Sequence, residues 1–330
     1  MKIAVIGSGS WGCAVAILLA KKNYDVYLWS WQKEESDRLK RDRENKDVLP
    51  GKPFPENIVC SYDMAECVTG ADLVVTVVPS PATRTTAHAL SKHIKSGQIL
   101  VNLSKGLEEA TLMTLSQVYK EEIPQADVAV MSGPSHAEEV SDGLPTTNVV
   151  AADDIKTAEY IQNIFMTDKF RVYTGDDITG TELGGALKNV IALCSGISDG
   201  MGYGDNTRAA LMTRGIAEIK RLGIAMGAKS ETFAGLSGIG DLIVTCTSMH
   251  SRNHRAGILL GKGYTLEQTL DEVHMVVEGV NTAKAAYELG KKYNVSMPII
   301  TEAYKILFEN KNPQNAVNEL MTRNKTAENN

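Results

Sequence analysis

Residues 2–12 read KIAVIGSGSWG, an apolar run followed at once by a glycine-rich turn. Gly7, Gly9 and Gly12 fit the pattern GxGxxG between a predicted strand and a helix that opens at Ser10. In such a turn the first glycine permits the tight bend, the second lets the backbone approach a pyrophosphate, and the third lets helix and strand pack closely. Because a helix N-terminus offers free N–H groups to phosphates, the stretch predicts a dinucleotide-binding unit. A plain tight turn, a flavin site and an S-adenosylmethionine site are the alternatives.

The first half of the chain alternates apolar runs with helix-like stretches, the first of these helices over 10–22. Strands are predicted at 2–6, 25–29, 72–78, 98–103, 127–131, 147–152 and 170–173. The run DLVVTVV at 72–78 is apolar on both faces, as in a buried strand of a parallel sheet. This alternation predicts an α/β fold with a doubly wound parallel sheet.

The pattern changes near 175–181, where strand alternation gives way to long segments rich in Ala, Leu, Ile and Gly. Helices are predicted at 182–196, 207–226, 255–260, 265–273, 281–293 and 299–309. We therefore expect two domains, residues 1–178 around the glycine turn and residues 179–330 as a helical domain. The polar residues 323–330 are expected to fray.

Bulk composition excludes several classes of protein. With 43% hydrophobic and 22% charged residues, the 330-residue chain is expected to fold, and its net charge of -6 argues against nucleic-acid binding. Five cysteines without a CxxC pair favour free thiols in a reducing compartment. The N-terminal apolar run is too short for a secretory signal, and no stretch approaches the roughly 18 apolar residues of a membrane span. A cytoplasmic location is the expectation.

The end of the second strand bears on the choice of cofactor. An NAD-binding unit usually carries Asp or Glu there, about 20 residues beyond the glycines, to hold the ribose 2′-OH. Here residues 29–33 read WSWQK, and Glu34 and Glu35 are interpreted as solvated helix residues. The missing acid and Lys33 favour NADPH, or acceptance of both NADPH and NADH, although Lys is a poor substitute for Arg at a 2′-phosphate. Trp31 either stacks on adenine or lies in an interface.

Two lysines stand out among small and apolar residues. Lys105 follows the strand at 98–103, so it points toward the crevice at the carboxyl ends of the strands unless it is a solvated loop residue. Lys188 lies in the apolar helix at 182–196, either on a solvated stripe or at an interior site. At an interior site, burial and a neighbouring cation would lower its pKa and suit it to proton transfer.

A third polar segment covers residues 238–255. Arg252 supplies a planar fork suited to phosphate, and Ser251 and Asn253 add neutral donors just before a predicted helix. Asp241 is a candidate to hold a substrate hydroxyl or to orient a lysine. A polar capping turn with surface arginines is the alternative.

Three residues of the same segment have the spacing of metal ligands. Cys246, His250 and His254 are four residues apart and would share one face of a helix. The Thr- and Ser-rich sequence does not favour a continuous helix, and no acidic fourth ligand is obvious, so no metal is predicted. His136 is interpreted as a structural residue rather than a base.

Together these blocks resemble the bacterial NAD(P)-dependent glycerol-3-phosphate dehydrogenases over nearly the whole chain. The resemblance rests on GSGSWG at 7–12, VPS at 78–80, SKG at 104–106, GPSHAEEV at 133–140, ELGGALKN at 182–189, GDNTRAALMTRG at 204–215, GLSGIGDLIVTCTSMHSRN at 235–253 and VVEG at 276–279. It implies a Rossmann domain followed by an all-α domain like that of 6-phosphogluconate dehydrogenase. It also implies reversible reduction of dihydroxyacetone phosphate to sn-glycerol 3-phosphate, a supply of glycerol phosphate for phospholipids, and a homodimer.

The resemblance also implies roles for individual residues. Lys188 would be the proton acceptor and donor at the carbon-2 oxygen. The substrate site would be formed by Lys105, Gly133, Ser135, Lys188, Asn189, Asp241, Ser251, Arg252 and Asn253. The cofactor would contact Ser10, Trp11, Lys105, Ala137, Arg252, Val276 and Glu278; the glycine turn, Trp31 and Lys33 are cofactor-site candidates from the sequence pattern itself. The sequence departs from the family at residues 30–32, where members commonly carry Arg or His beside the 2′-phosphate.

Two other functions stay open at this point. A reductase for a 3-hydroxyacid or for ketopantoate would need a carboxylate clamp in place of the phosphate donors at 251–253. A non-catalytic NADP sensor would have no need for Lys188 in an apolar helix.

Overall fold

One mixed sheet forms the first part of the chain in the computed structural model, which describes residues 1–325, 327 and 328. Its strands within those residues are β1 (Lys2–Ile6), β2 (Asp25–Trp29), β3 (Ile58–Ser61), β4 (Leu73–Thr76), β5 (Ile99–Asn102), β6 (Asp127–Ser132), β7 (Thr146–Ala151) and β8 (Phe170–Gly175). They lie in the order β3-β2-β1-β4-β5-β6-β7-β8. The predicted α/β sheet is confirmed, and we call residues 1–175 the sheet region.

The pairing of β6 with β7 corrects the expectation of a wholly parallel sheet. These two strands are antiparallel, whereas every other neighbouring pair is parallel. A parallel return needs a crossover of a dozen or more residues that is usually a full helix. The link between β6 and β7 contains only the six-residue helix Ala137–Asp142, so the chain turns back beside the strand it has just left.

Helices cover both faces of the sheet. They are α1 (Ser10–Lys21), α2 (Lys33–Asp42), α3 (Met64–Val68), α4 (Thr83–Ser91), α5 (Leu115–Glu122), α6 (Ala137–Asp142) and α7 (Ile155–Phe165). Strands β1 and β4 are buried on both faces, which explains their uninterrupted apolar sequences. The pattern did not predict β3, because this strand has only four residues and one of them, Val59, is exposed.

The remainder of the described chain is helical. Its helices are α8 (Ile178–Gly200), α9 (Asp205–Ala225), α10 (Asp241–Thr247), α11 (Arg252–Gly261), α12 (Leu266–Val273), α13 (Glu278–Lys292), α14 (Pro298–Phe308) and α15 (Pro313–Met321). The predicted helices are present, and α10 and α15 are additions to them. We call residues 178–321 the helical region.

Helix α8 is the core of the helical region. It is buried along most of its length and contacts α9, α10, α11 and α13. Its approach to α11 depends on glycine, because a Cβ at Gly196 would lie 2.9 Å from the Cα of Gly257. The burial of α8 makes Lys188 an interior residue rather than one on a solvated stripe.

Two further findings concern the chain as a whole. Among the described residues, none of the helices has both the length and the apolar character needed to cross a bilayer. The five cysteines are all free. Thr326, Asn329 and Asn330 lie outside the described residues, so the fraying expected for them stays a prediction.

Candidate active site

The site lies at the edge of the sheet where parallel strands end. Strands β2, β1, β4, β5 and β6 run parallel, so the segments that follow them meet at that edge. The glycine turn follows β1, Lys105 follows β5, and Gly133 follows β6. The strand order reverses between β1 and β4, which is where open sheets of this type bind ligands.

The glycine turn has the geometry that a dinucleotide requires. Gly7 has a φ of +120°, and a Cβ there would lie 2.7 Å from the carbonyl oxygen of Val77. A Cβ at Gly12 would collide with the carbonyl oxygen of Gly7. A Cβ at Gly9, by contrast, would meet nothing within 4 Å, so this face is open to a ligand. Helix α1 then begins at Ser10 with no acidic residue in its first turn, which suits a pyrophosphate.

A carboxylate bridges the two predicted lysines. Asp241 is the first residue of α10, and its Oδ2 accepts a hydrogen bond from Lys105 Nζ at 2.6 Å. Its Oδ1 lies 2.9 Å from Lys188 Nζ. Lys105 Nζ also donates to the carbonyl oxygen of Gly133 at 2.9 Å. The side chains of Lys188 and Asp241 are 6% and 2% exposed, so this ionic cluster is held almost out of water.

Burial sets the electrostatics of this cluster. The pKa of Lys188 is lowered to about 8, chiefly by desolvation; the negative charge of Asp241 opposes this shift, and the positive charge of Lys105 adds to it. Burial alone would raise the pKa of Asp241, but the charges of Lys105 and Lys188 outweigh it and hold that pKa below its usual value. Near neutral pH the cluster therefore contains a carboxylate and a lysine that readily exchanges its proton.

Thr245 is a member of the cluster that the sequence reasoning missed. Lys188 Nζ donates to Thr245 Oγ1 at 2.6 Å, and that hydroxyl donates to the backbone carbonyl of Asp241 at 2.6 Å. Thr245 stands four residues after Asp241, a spacing that places both on one face of a helix. The spacing of four residues between Asp241 and Thr245 is visible in the sequence, but it indicates a shared face only if residues 241–247 form a helix.

A chain of amides joins α8, α11 and α13 beside Lys188. Asn253 Nδ2 donates to Asn189 Oδ1 at 2.9 Å, and Asn253 Oδ1 accepts from the backbone N–H of Gly279 at 2.8 Å. Ser251 caps α11, because its Oγ accepts from the backbone N–H of His254 at 3.2 Å. Ser251 is therefore a helix-capping residue, as the alternative of a polar capping turn predicted. Its hydroxyl proton is still available for donation to a ligand.

Arg252 and Glu278 lie where the helical region meets the sheet region. Arg252 Nη1 donates to the carbonyl oxygen of Val276 at 3.2 Å. Glu278 accepts from the backbone N–H of Ser80 at 3.0 Å and from Ser80 Oγ at 2.6 Å. A Cβ at Gly106 would lie 2.5 Å from the Cβ of Ser80, so this loop must remain small. Ser80 was not among the predicted site residues, although the sequence VPS contains it.

The loop after β6 carries three more predicted residues. Gly133 has a φ of +149°, and Ser135 Oγ donates to its carbonyl oxygen at 3.0 Å. Ala137 begins α6 and is 7% exposed. The neighbouring His136 ring lies 5.6 Å from the ring of His250, and burial lowers the pKa of His136. The structure thus brings this loop against the turn that precedes Ser251.

The three residues with metal-ligand spacing do not share a helix. Cys246 lies on α10, His250 lies in the following turn, and His254 lies on α11. His254 Nε2 faces Asp199 Oδ2 at 3.2 Å instead. Within the described residues, no group of three or more His, Cys, Asp or Glu side chains is arranged to hold a metal ion.

The segment after β2 differs from expectation at Glu35. Trp31 is 73% exposed, and Lys33 Nζ lies 5.7 Å from the ring of Tyr62. Glu35 is not a solvated helix residue: it is half-buried, and its carboxylate accepts hydrogen bonds from Ser8 Oγ at 3.1 Å and from Ser30 Oγ. Periodicity could not reveal this, because the fold brings the first turn of α2 back over the glycine turn.

Comparison with known proteins matches both regions to one family. Residues 2–158 match the N-terminal model of NAD-dependent glycerol-3-phosphate dehydrogenase, and residues 177–318 match its C-terminal model. The chain belongs to the NAD-dependent glycerol-3-phosphate dehydrogenase family. This confirms the resemblance inferred from the sequence blocks.

Individual relatives agree with this family along their full length. A glycerol-3-phosphate dehydrogenase (NAD(P)+) of Fusobacterium nucleatum is 55% identical over 330 residues, which cover 99% of this chain and 98% of the relative. That of Moorella thermoacetica is 57% identical over 326 residues, covering 99% and 97%. The crystal structure of glycerol-3-phosphate dehydrogenase from Coxiella burnetii has a TM-score of 0.95 at 37% identity, covering 98% of this chain and 99% of that one.

Proposed function

We propose that the chain catalyses the reversible reduction of dihydroxyacetone phosphate to sn-glycerol 3-phosphate with NADH or NADPH. The observation that carries the proposal is the buried cluster in which Asp241 bridges Lys188 and Lys105 at the edge of the sheet next to the glycine turn. Family membership supports the same substrate and cofactors. When bound, the reduced nicotinamide supplies a hydride to the C2 carbonyl of the substrate.

Lys188 is the proton donor for reduction in this proposal. As hydride arrives at C2, the ammonium of Lys188 gives its proton to the C2 oxygen, and in the oxidative direction the neutral amine takes it back. A pKa of about 8 suits both directions near neutral pH. Lys105 contributes positive charge that stabilises the developing alkoxide, while Asp241, Thr245 and Asn189 hold the geometry. Exclusion of water strengthens each of these interactions.

The substrate phosphate is assigned to the start of α11. Arg252 offers a planar fork, and Ser251 and Asn253 offer neutral donors at a helix N-terminus. Gly133 and Ser135 line the opposite side through the loop after β6. A hydroxyacid reductase would need its cationic clamp arranged for a carboxylate, so these donors favour the phosphorylated substrate.

The cofactor is assigned to the crevice that starts at the glycine turn. Gly7, Gly9 and Gly12 shape the pyrophosphate site, whose open face is at Gly9. The remaining contacts are assigned to Ser10, Trp11, Trp31, Lys33, Lys105, Ala137, Arg252, Val276 and Glu278. Among them Arg252, Val276 and Glu278 come from the helical region, so that bound cofactor would bridge both regions.

Several wider expectations are part of the same proposal. The domain boundary is proposed at residues 178 and 179, directly after the start of α8. The family resemblance supports a homodimer and a role in supplying glycerol phosphate for phospholipids. The free cysteines support a cytoplasmic location.

A spectrophotometric assay tests the activity. Purified protein is mixed with dihydroxyacetone phosphate and either NADH or NADPH, and oxidation is followed at the reduced-nicotinamide absorbance band. Oxidation that depends on dihydroxyacetone phosphate is expected; its absence with both cofactors, or equal rates with ketopantoate or a 3-oxoacid, would reject the substrate assignment.

Lys188→Ala tests the proton donor. General acid catalysis of this kind is worth about 10²- to 10⁴-fold, so kcat should fall by that factor. Binding of the cofactor should change little. Lys120→Ala is the matched control, since Lys120 is an exposed lysine that pairs with Asp153 on the surface. Near-normal turnover by Lys188→Ala would refute the assignment.

A further inference from the structure

The fold brings a carboxylate to the end of β2, where the linear sequence shows no acidic residue. Glu35 lies in the first turn of α2, and its side chain reaches back to accept hydrogen bonds from Ser30 Oγ and from Ser8 Oγ at 3.1 Å. Ser30 directly follows β2, and Ser8 lies between the first two glycines of the glycine turn. The carboxylate therefore joins the two segments that flank the start of the dinucleotide crevice.

Other contacts hold this carboxylate in position. Ser8 and Ser30 are 6% and 1% exposed. The carbonyl oxygen of Ser8 accepts from Asn45 Nδ2 at 2.8 Å, and the backbone N–H of Ser30 donates to the carbonyl of Ser61 at 2.9 Å. Because its two donors are themselves fixed, Glu35 is a preorganised negative charge rather than a mobile surface group.

The neighbouring cations are engaged elsewhere. Arg38 pairs with Asp47 at 2.6 Å. Arg43 donates to the backbone carbonyl of Ile58 at 2.8 Å. Lys33 lies over the ring of Tyr62. The charge of Glu35 is therefore not neutralised by an ion pair from these side chains, and a 2′-phosphate placed here would meet a carboxylate.

We propose that Glu35 is the residue that determines cofactor specificity, and that it makes the protein prefer NADH to NADPH. In dinucleotide-binding units, an acid at the end of the second strand accepts a hydrogen bond from the ribose 2′-OH, whereas a 2′-phosphate needs a cation at that point. Glu35 supplies the acid from the following helix instead of from the strand. The inference rests on the proposed function, and it reverses the preference that Lys33 and the missing strand-end acid suggested.

Binding without substrate tests the inference. NADH and NADPH are titrated separately into the protein, and energy transfer from tryptophan to the reduced nicotinamide reports each Kd. Wild type should bind NADH about tenfold more tightly, a difference of about 1.4 kcal/mol, because the 2′-phosphate of NADPH would meet the like charge of Glu35. Glu35→Gln keeps an acceptor oxygen for the serines and removes the charge, so the ratio of the two Kd values should fall toward one.

Glu34→Gln is the matched control, because Glu34 is an exposed acid in the same turn of α2. It should leave the Kd ratio unchanged. If Glu35 had a purely structural role, Glu35→Gln would weaken the binding of NADH and NADPH by the same factor, and the ratio of the two Kd values would not change. This result would overturn the inference. So would wild-type preference for NADPH, or an equal change of the ratio in Glu34→Gln.

Salt dependence provides a test on the wild type alone. Repulsion of the 2′-phosphate is screened at high ionic strength, so the preference for NADH should narrow as salt rises. If the 2′-phosphate instead made an attractive contact, rising salt would weaken the binding of NADPH more than that of NADH, and the preference for NADH would widen. Failure of the proposed function is distinguishable: NADH would bind, but dihydroxyacetone phosphate would not be reduced.

Discussion

Replacing Asp241 with Asn tests whether this carboxylate sets the proton affinity of Lys188. Its Oδ1 lies 2.9 Å from Lys188 Nζ and its Oδ2 lies 2.6 Å from Lys105 Nζ. Two unit charges 2.9 Å apart interact by about 6 kcal/mol at an effective dielectric constant of about 20. That corresponds to an upper limit of about four pKa units. Because water entry and the amide dipole offset part of it, we expect the pKa of Lys188 to fall by about one to two units.

The assay is the pH dependence of kcat/KM for dihydroxyacetone phosphate. Reduction needs protonated Lys188, so the wild-type value should decline as pH rises through about 8. In Asp241→Asn this decline should move to about pH 6 to 7, given the expected shift. The reverse reaction needs the neutral amine, so its rise with pH should move in the same direction. Titration of the substrate phosphate is common to both enzymes and cancels in the comparison.

Two further variants make the result decisive. Thr245→Val removes a hydrogen bond to Lys188 without removing a charge and should produce a smaller shift. Asp241→Glu keeps the charge and should keep the decline near that of wild type. Breaking a buried ion pair costs about 3 to 5 kcal/mol, so thermal melts must show that Asp241→Asn is folded at the assay temperature. If its decline stays near the wild-type pH, or moves no further than that of Thr245→Val, the reasoning is refuted.

Two further predictions concern the phosphate site and a buried acid. Arg252→Lys keeps the charge but loses the planar fork, so KM for dihydroxyacetone phosphate should rise about tenfold at saturating cofactor. Any turnover of unphosphorylated dihydroxyacetone under the same conditions should stay unchanged, and equal losses with both substrates would contradict a phosphate role. Glu218 is buried and accepts from the backbone N–H groups of Ile299 and Ile300, and burial raises its pKa from 4.5 to about 7. The folded protein thus holds the proton of the Glu218 carboxyl more tightly than the unfolded protein does. The protonated carboxyl contributes up to about 3 kcal/mol to the free energy of unfolding; this contribution is complete below about pH 4.5 and is lost as pH rises through about 7. Urea denaturation at several pH values should show this decline in wild type and a shallower one in Glu218→Gln, and parallel curves would argue against it.

Local sequence was sufficient to predict those parts of the molecule that a short motif or a run of apolar residues identifies. The glycine turn was readable because GxGxxG directly follows β1 and opens α1, and the apolar runs of β1 and β4 identified strands buried on both faces. Sequence context and the family blocks predicted Lys105, Lys188 and Asp241 as site residues, and the structure brings these three side chains into contact. Such features depend on neighbours within a few residues, so one chain displays them without a structure.

Tertiary structure decided what depends on contacts between distant segments. Lys188 was undecided between solvent and interior until α9, α10, α11 and α13 were seen to surround α8. Asp241 reaches Lys105 across 136 positions of sequence, and Thr245 joins them only because residues 241–247 are helical. Glu35 was misread because its partner Ser8 stands 27 positions earlier. Charge, burial and hydrogen bonding act through space, so a lysine's pKa or a carboxylate's orientation is set by the fold and not by its place in the chain.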